Sequence, residues 1–215
     1  MKLLRSFLFV FFTLSALACS AVQQLGQSNV PSGGALYADD FSNPRSGWGM
    51  LDSEAGVAAY TNAAYHVYIK MPNVNLWAHP GLSFSSARIE ADTRTVNGPT
   101  ENRQGLICRM KDAKNFYYFI ISDDGYYGIG KVKDGQWSLL ETPEMRPHSA
   151  IQTGRQINHL RADCVANLFI LYVNGQLVGS AQDDDFGSGD VGVLAGSFDQ
   201  PGVDVYFDNF IVYRP

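Results

Sequence analysis

Four dipeptides, Asn97-Gly98, Asp124-Gly125, Asp134-Gly135 and Asn174-Gly175, punctuate a chain whose intervening segments are short, apolar-rich and without helical periodicity. Asn-Gly and Asp-Gly tolerate positive φ and favour the tight turns that join antiparallel strands. Around them the sequence predicts strands over 64–70, 86–96, 104–110, 116–122, 126–132, 157–165, 168–173, 177–182, 191–195 and 203–213. No window of ten or more residues keeps a 3.6-residue apolar period, although 145–158 has room for a short turn of helix. Many short strands at regular spacing with glycine-rich turns specify a sandwich or barrel. The predicted class is all-β.

The first residues carry an address. Met1-Lys-Leu-Leu-Arg5 is positively charged, an apolar run follows from Ser6 to Ala16, and Leu17-Ala18-Cys19 closes the segment. This is the plan of an export signal, with an apolar run shorter than the ~20 residues needed to cross a bilayer. Cysteine at the junction resembles the lipobox of bacterial lipoproteins, which implies acylation of Cys19 and anchoring to the cell envelope. Ala16 stands where that family prefers Leu, and Ala16-Leu17-Ala18 also satisfies the ordinary signal-peptidase rule, which implies plain secretion. The organisation read from the sequence is therefore a signal peptide over 1–19, a polar Gly/Ser/Pro-bearing linker over 20–35 and one domain over 36–215. Removing 19 of the 215 residues leaves 196, enough for one substantial core. Losing Lys2 and Arg5 takes the charge from −5 to −7. That balance speaks against nucleic acid and against charge-driven binding to anionic membrane, leaving a lipid as the membrane link.

Beyond Cys19 only Cys108 and Cys164 remain. Alternation groups Leu106, Cys108 and Met110 on one strand face with Arg109 opposite, and Leu160, Ala162 and Cys164 against Arg161 and Asp163. Both thiols point inward, and an even pair in an oxidising compartment predicts a disulfide. Two free buried cysteines are the alternative.

Several segments carry a family resemblance: Asp39-Asp-Phe-Ser42 with Ser46-Gly-Trp48, Gly105-Leu-Ile-Cys-Arg109, Asn115-Phe-Tyr-Tyr-Phe119, Asp124-Gly-Tyr-Tyr-Gly-Ile-Gly-Lys131, Leu171-Tyr-Val-Asn-Gly-Gln176 and Phe207-Asp-Asn-Phe-Ile-Val-Tyr213. In order and spacing the chain resembles the concanavalin A-like, laminin-G-like jelly-roll domains of bacterial surface proteins. The resemblance implies two curved antiparallel sheets with the last strand beside the first. It also implies a place for a structural calcium where those strands meet, near Asp40 and Asp208; an edge aspartate bonding nearby backbone is the plainer reading.

Chemistry-bearing patterns are sparse. Glycoside hydrolases on this fold present Glu-x-Asp-x-x-Glu from one strand; here Glu90-Ala-Asp92 is followed by Thr95 in the last place, and Glu90 and Asp92 alternate as a solvated strand face does. His66, His79, His148 and His159 lack metal-ligand spacing, and no Gly-x-Ser-x-Gly elbow exists. Asp183-Asp-Asp185 with Asp190 lacks EF-hand spacing, because Leu194 stands twelfth. No catalytic or metal residue is assigned. Aromatics are in surplus: over 116–121 both strand faces are apolar, so one must be covered or must line a groove. Trp77, Tyr117, Tyr126, Tyr127 and Trp137 are the candidate ligand platform, with Arg109 and Asp123 as polar partners. Core and cross-strand packing is the competing role for these rings. The function expected is a non-catalytic extracytoplasmic module that recognises a glycan or a surface protein. The alternatives are a sugar hydrolase on the same fold and a structural or protein-contacting lipoprotein.

Overall fold

Alternation is plainest in Ala87–Asn97, where Ala87, Ile89, Ala91, Thr93 and Thr95 are buried and Arg88, Glu90, Asp92 and Arg94 face the other way. The computed structural model describes residues 34–215; the signal sequence, Cys19 and the linker as far as residue 33 lie outside the described residues. The strands are β1 (Ala35–Asp39), β2 (Leu51–Asp52), β3 (Gly56–Thr61), β4 (Ala64–Ile69), β5 (Asn75–Ala78), β6 (Ala87–Asn97), β7 (Asn102–Asp112) and β8 (Asn115–Ile121). They continue as β9 (Tyr126–Lys133), β10 (Gln136–Leu139), β11 (Arg146–Pro147), β12 (Asn158–Val165), β13 (Leu168–Val173), β14 (Gln176–Gln182), β15 (Asp190–Ser197) and β16 (Val203–Tyr213). The described residues contain no helix, and 145–158, where the sequence left room for a helical turn, holds β11, turns and the first residue of β12.

All pairings are antiparallel and make two sheets. The first runs β14-β13-β12-β6-β16-β4-β3-β2 with β1 also on β16; the second runs β10-β9-β8-β7-β15-β5 with β11 beside β9. The last strand does lie beside the first, Asp39 opposite Phe210 and Tyr37 opposite Val212. Ile89, Leu106, Phe119, Phe169, Leu171, Val193, Val205 and Phe207 fill the space between the sheets and are fully buried.

The opening motif closes one end of this core. Asp39 Oδ1 accepts the Phe41 N–H at 2.8 Å, and Trp48 Nε1 donates to the Tyr37 hydroxyl at 2.9 Å. The Trp48 ring then packs edge-on against Phe41 and Phe210, at 5.0 and 4.8 Å between centroids.

The turn pairs divide into two kinds. Asp134-Gly135 and Asn174-Gly175 are two-residue hairpins with both residues at positive φ, as a type I′ turn requires. Asp124-Gly125 joins the paired strands β8 and β9. Asn97-Gly98 instead carries the chain from one sheet to the other, since β6 and β7 belong to different sheets. A further tight hairpin, Asn62-Ala63, has both φ values positive without a glycine.

Cys108 on β7 and Cys164 on β12 are bonded and tie the two sheets together. Leu106, Cys108, Leu160, Ala162 and Cys164 all face the core as read from the sequence, but Met110 does not. Arg109 takes φ 51° at a bulge that shifts the register of β7 against both β8 and β15. The extra residue reverses the alternation, sending Arg109 inward and Met110 outward. Arg109 is 4% exposed, with Nη1 donating to the Phe186 carbonyl at 3.0 Å and the guanidinium 5.3 Å from the Phe169 centroid.

Replacing both bonded cysteines by alanine is expected to lower the unfolding free energy by about 2–4 kcal/mol, read as an earlier urea midpoint. A maleimide should label neither Cys108 nor Cys164 in urea-unfolded, unreduced protein.

Candidate functional site

The second sheet is apolar on both faces. Tyr117, Phe119 and Ile121 of β8 point into the core, while Phe116, Tyr118 and Ile120 point away from it and pack with Ile107, Met110, Val132 and Leu194. Trp77 from β5, with Leu139 and Met145 from the β10 side, covers this outer layer. Trp77 and Trp137 stand 6.2 Å apart, and Phe116 lies between them at 5.4 and 5.5 Å. Tyr118 lies 5.0 Å from Trp137 and donates its hydroxyl to the Ser138 carbonyl at 3.0 Å. It crosses β9 at Gly130, where a Cβ would come within 2.3 Å of the phenol ring. Burial pushes the Tyr118 hydroxyl pKa up to about 12, against the opposing charge of Arg103.

A pocket of about 640 Å³ opens beside this layer. Trp77 and His79 line it from β5 and the residue beyond, Gly81–Ser83 from the next loop, Met110–Ala113 from the β7–β8 hairpin, and Ser188–Asp190 from the start of β15. Its frame is Asp190, which is 7% exposed. The Asp190 carboxylate accepts the N–H groups of Gly81 at 2.8 Å, Leu82 at 2.9 Å and Val191 at 2.8 Å, and Nδ1–H of His79 at 2.7 Å. A buried carboxylate is tolerated when its lone pairs are filled in this way. The Phe84–Gly189 bridge holds the same loop from its other end. Gly189 is required there, since a Cβ would meet Arg109 and Met110 backbone atoms at 2.5 Å. Bonding to Asp190 fixes the His79 tautomer and turns Nε2 away from that carboxylate. The hydrogen bond and charge of Asp190 hold the imidazole above its ordinary pKa, against the effect of partial burial.

The structure brings only part of the sequence-derived platform together. Trp77 and Trp137 share the outer layer, Trp77 partly buried and Trp137 37% exposed. Tyr117 faces the opposite way: it is fully buried against Phe169 at 4.1 Å, its hydroxyl donating to Asp183 Oδ1 at 2.6 Å. Tyr118 and Phe116 take the place expected for it. Tyr127 packs on the inter-sheet core beside His148, also away from the pocket. Tyr126 is exposed, but six residues of β9, roughly 20 Å, separate it from Val132, the register partner of Trp137. Arg109 is inside the sandwich because of the bulge. Asp123 is 1% exposed and bonded by Asn102 Nδ2 at 3.0 Å and Gln104 Nε2 at 2.7 Å, so neither polar partner reaches the surface groove. His79 and Asp190 were missed as site residues. The signal for His79 was its two-residue spacing from Trp77, hidden because the four-residue β5 was not recognised.

The other acidic groups are engaged elsewhere. Glu90 and Asp92 lie on the solvated face of the first sheet and flank His159, with Nδ1 2.8 Å from Asp92 and Nε2 3.5 Å from Glu90. Asp40 Oδ1 accepts the Ser42 N–H at 3.0 Å and its hydroxyl at 2.6 Å. Burial raises the Asp208 pKa, and the charges of Asp92 and Asp40 add to it. Among the described residues no group of three or more His, Cys, Asp or Glu side chains is arranged to hold a metal ion.

No family model matches the chain, and no curated protein matches it in sequence. Solved structures do resemble it. The carbohydrate binding module CBM66 from Bacillus subtilis superposes with TM-score 0.63 at 20% identity, covering 78% of this chain and 95% of that one. A Bacillus subtilis protein of unknown function with a galectin-like fold gives TM-score 0.60 at 11% identity, covering 85% and 96%. A xylan β-1,4-xylosidase from Bacillus halodurans gives 0.59 at 14%, covering 86% of this chain but 41% of that one. These likenesses establish the fold, a concanavalin-like jelly-roll sandwich.

The His79–Asp190 pair predicts a pH dependence. A raised folded pKa adds stability that is complete below the unfolded value near 6.5 and is lost as pH climbs through the folded value. Asp190→Asn keeps the shape and removes the charge. The fall in the urea midpoint between pH 6 and pH 8 is therefore expected to be smaller in Asp190→Asn than in wild type, His159 contributing equally to both.

Proposed function

We propose that this chain is a non-catalytic carbohydrate-binding module working outside the cytoplasm, with the saccharide held in the pocket walled by Trp77 and His79. The observation that carries the reading is a partly exposed indole set beside polar groups in a cavity of about 640 Å³, within the ~300–1,000 Å³ range of small-ligand sites. Aromatic faces stack on the apolar faces of sugar rings, while His79, Ser83 and Ser188 offer hydrogen-bonding partners to hydroxyls. Trp137 extends the same aromatic surface. The likeness to a carbohydrate binding module supports this reading.

Likenesses to a xylosidase and to a putative glycosyl hydrolase raise an enzyme as the second reading. The pocket carboxylates argue against it. Asp190 spends its lone pairs on four protein donors, and Asp112 accepts the Lys114 N–H at 2.7 Å and the Asn115 amide at 3.0 and 3.1 Å. Asp190 is thus not left as a free nucleophile or acid, and the hydrogen bonds from Lys114 and Asn115 hold the exposed Asp112 below the ordinary carboxylate pKa, which does not suit a general acid.

On residues 1–19 we place the protein in the export route, with Cys19 acylated and holding the domain to the envelope. The reading includes no cofactor; a structural calcium near Asp40 and Asp208 is the alternative, and chelation tests it.

A glycan array probed with the domain, with and without EDTA, should give binding in both arms if the site is the pocket, with loss under EDTA reporting a contribution from calcium. Trp77→Ala should weaken binding tenfold or more, about 1.4 kcal/mol, while the thermal unfolding profile stays cooperative. Binding unchanged in Trp77→Ala removes the pocket from the reading. Cys19→Ser should move the full-length protein from the detergent phase to the aqueous phase; retention in detergent would refute the lipid anchor.

A further inference from the structure

The pocket's hydrogen-bonding capacity is unevenly spent. The buried carboxylate, Asp190, is filled by four protein donors, while the exposed Asp112 accepts the Lys114 N–H and the Asn115 amide of its own turn. His79 Nε2 and the Lys111 ammonium have no hydrogen-bond partner among the described residues, and Lys111 forms no salt bridge among them. The cationic donors on the lining are therefore left unpaired alongside the Ser83 and Ser188 hydroxyls, in a chain that is acidic overall at −5. Neutral hydroxyls would use those groups weakly. An acceptor-only anion would use both, through charge-assisted hydrogen bonds.

We propose that the ligand of this pocket is an acidic saccharide, a uronate, with its ring on Trp77 and its carboxylate between His79 Nε2 and Lys111. This rests on the carbohydrate-binding reading above and names the ligand class. His79 also makes recognition depend on pH. Neutral imidazole, with Nδ1–H given to Asp190, presents a lone pair at Nε2 that repels a carboxylate. The imidazolium presents a second N–H that binds it. Asp190 from β15 contacts His79 and favours its charged form, and Lys111 and Asp112 from the β7–β8 hairpin, of opposite charge to each other, line the same pocket. A sugar carboxylate, titrating near about 4, stays ionised from pH 5.5 to pH 8. The pH dependence of binding should therefore follow His79, with binding strongest at low pH and weakening as pH rises through its folded pKa.

The test is calorimetric titration of the domain at physiological ionic strength with five probes: oligogalacturonate, its methyl ester, a glucuronate-containing oligosaccharide, and neutral galacto- and gluco-oligosaccharides. At least one uronate probe is expected to bind at pH 5.5 and to weaken about tenfold by pH 8, with the ester and neutral sugars flat across that range. His79→Gln should abolish the slope, and Lys111→Gln should weaken uronate binding at every pH while leaving the slope. Should His79→Gln fail to fold, the wild-type slope and Lys111→Gln decide the matter. Neutral sugars bound through Trp77 as tightly as uronates, or uronate binding independent of pH, would overturn this proposal and leave the carbohydrate reading standing. No binding by any saccharide at any pH would overturn both.

Discussion

A sheet whose side chains are apolar on both faces must cover both, and that constraint organises the second sheet of this sandwich. Its inner face is covered by the first sheet. Among the described residues no third layer of strands covers its outer face, and Phe116, Tyr118, Ile107 and Leu194 are roofed by side chains, chiefly Trp77, Leu139 and Met145. Water exclusion from an apolar layer favours this packing at ~25 cal/mol per Å². The roof ends beside β5, where the indole of Trp77 passes from buried layer to pocket wall. The same side chain thus serves stability on one face and recognition on the other, which is why its removal must be judged by both binding and folding.

Asp190 and the bulge at Arg109 set the shape of that pocket. The carboxylate draws Gly81, Leu82 and His79 onto the start of β15, fixing a loop that has few backbone partners of its own. The bulge sends Met110 to the pocket side and Arg109 to the interior. Arg109 remains an uneasy interior residue. Its Nε is buried without a partner, and burial lowers its pKa. Irregular geometry there is the cost of the extra residue that re-aims the strand.

Much of this architecture was legible beforehand. The ten predicted strands all exist, read from period-two alternation in strands such as β6 and from short apolar runs beside turns in β8 and β15, and the Cys108–Cys164 bond followed from two inward-facing positions in strands. Six short strands were not seen. β2 and β11 have two residues each and β5 and β10 four, too few for a period to register. Asn97-Gly98 looked like its hairpin counterparts, since the dipeptide specifies a local turn and not whether the next strand stays in the same sheet.

Local covalent and steric preference is carried by the sequence itself: all-β composition, turn positions, inward cysteines, and the surplus of aromatics over 116–121. Each depends on residues within a few positions of one another. Tertiary structure alone decided which aromatic face met the core, so that Tyr117 was buried and Tyr118 turned outward. It alone flipped Met110 and Arg109 through one extra residue, and buried Asp123 in an amide network. It alone brought Asp190 to His79 across 111 positions of chain. Such contacts follow from how two sheets stack and where a bulge falls, properties of the whole packing that no local pattern contains.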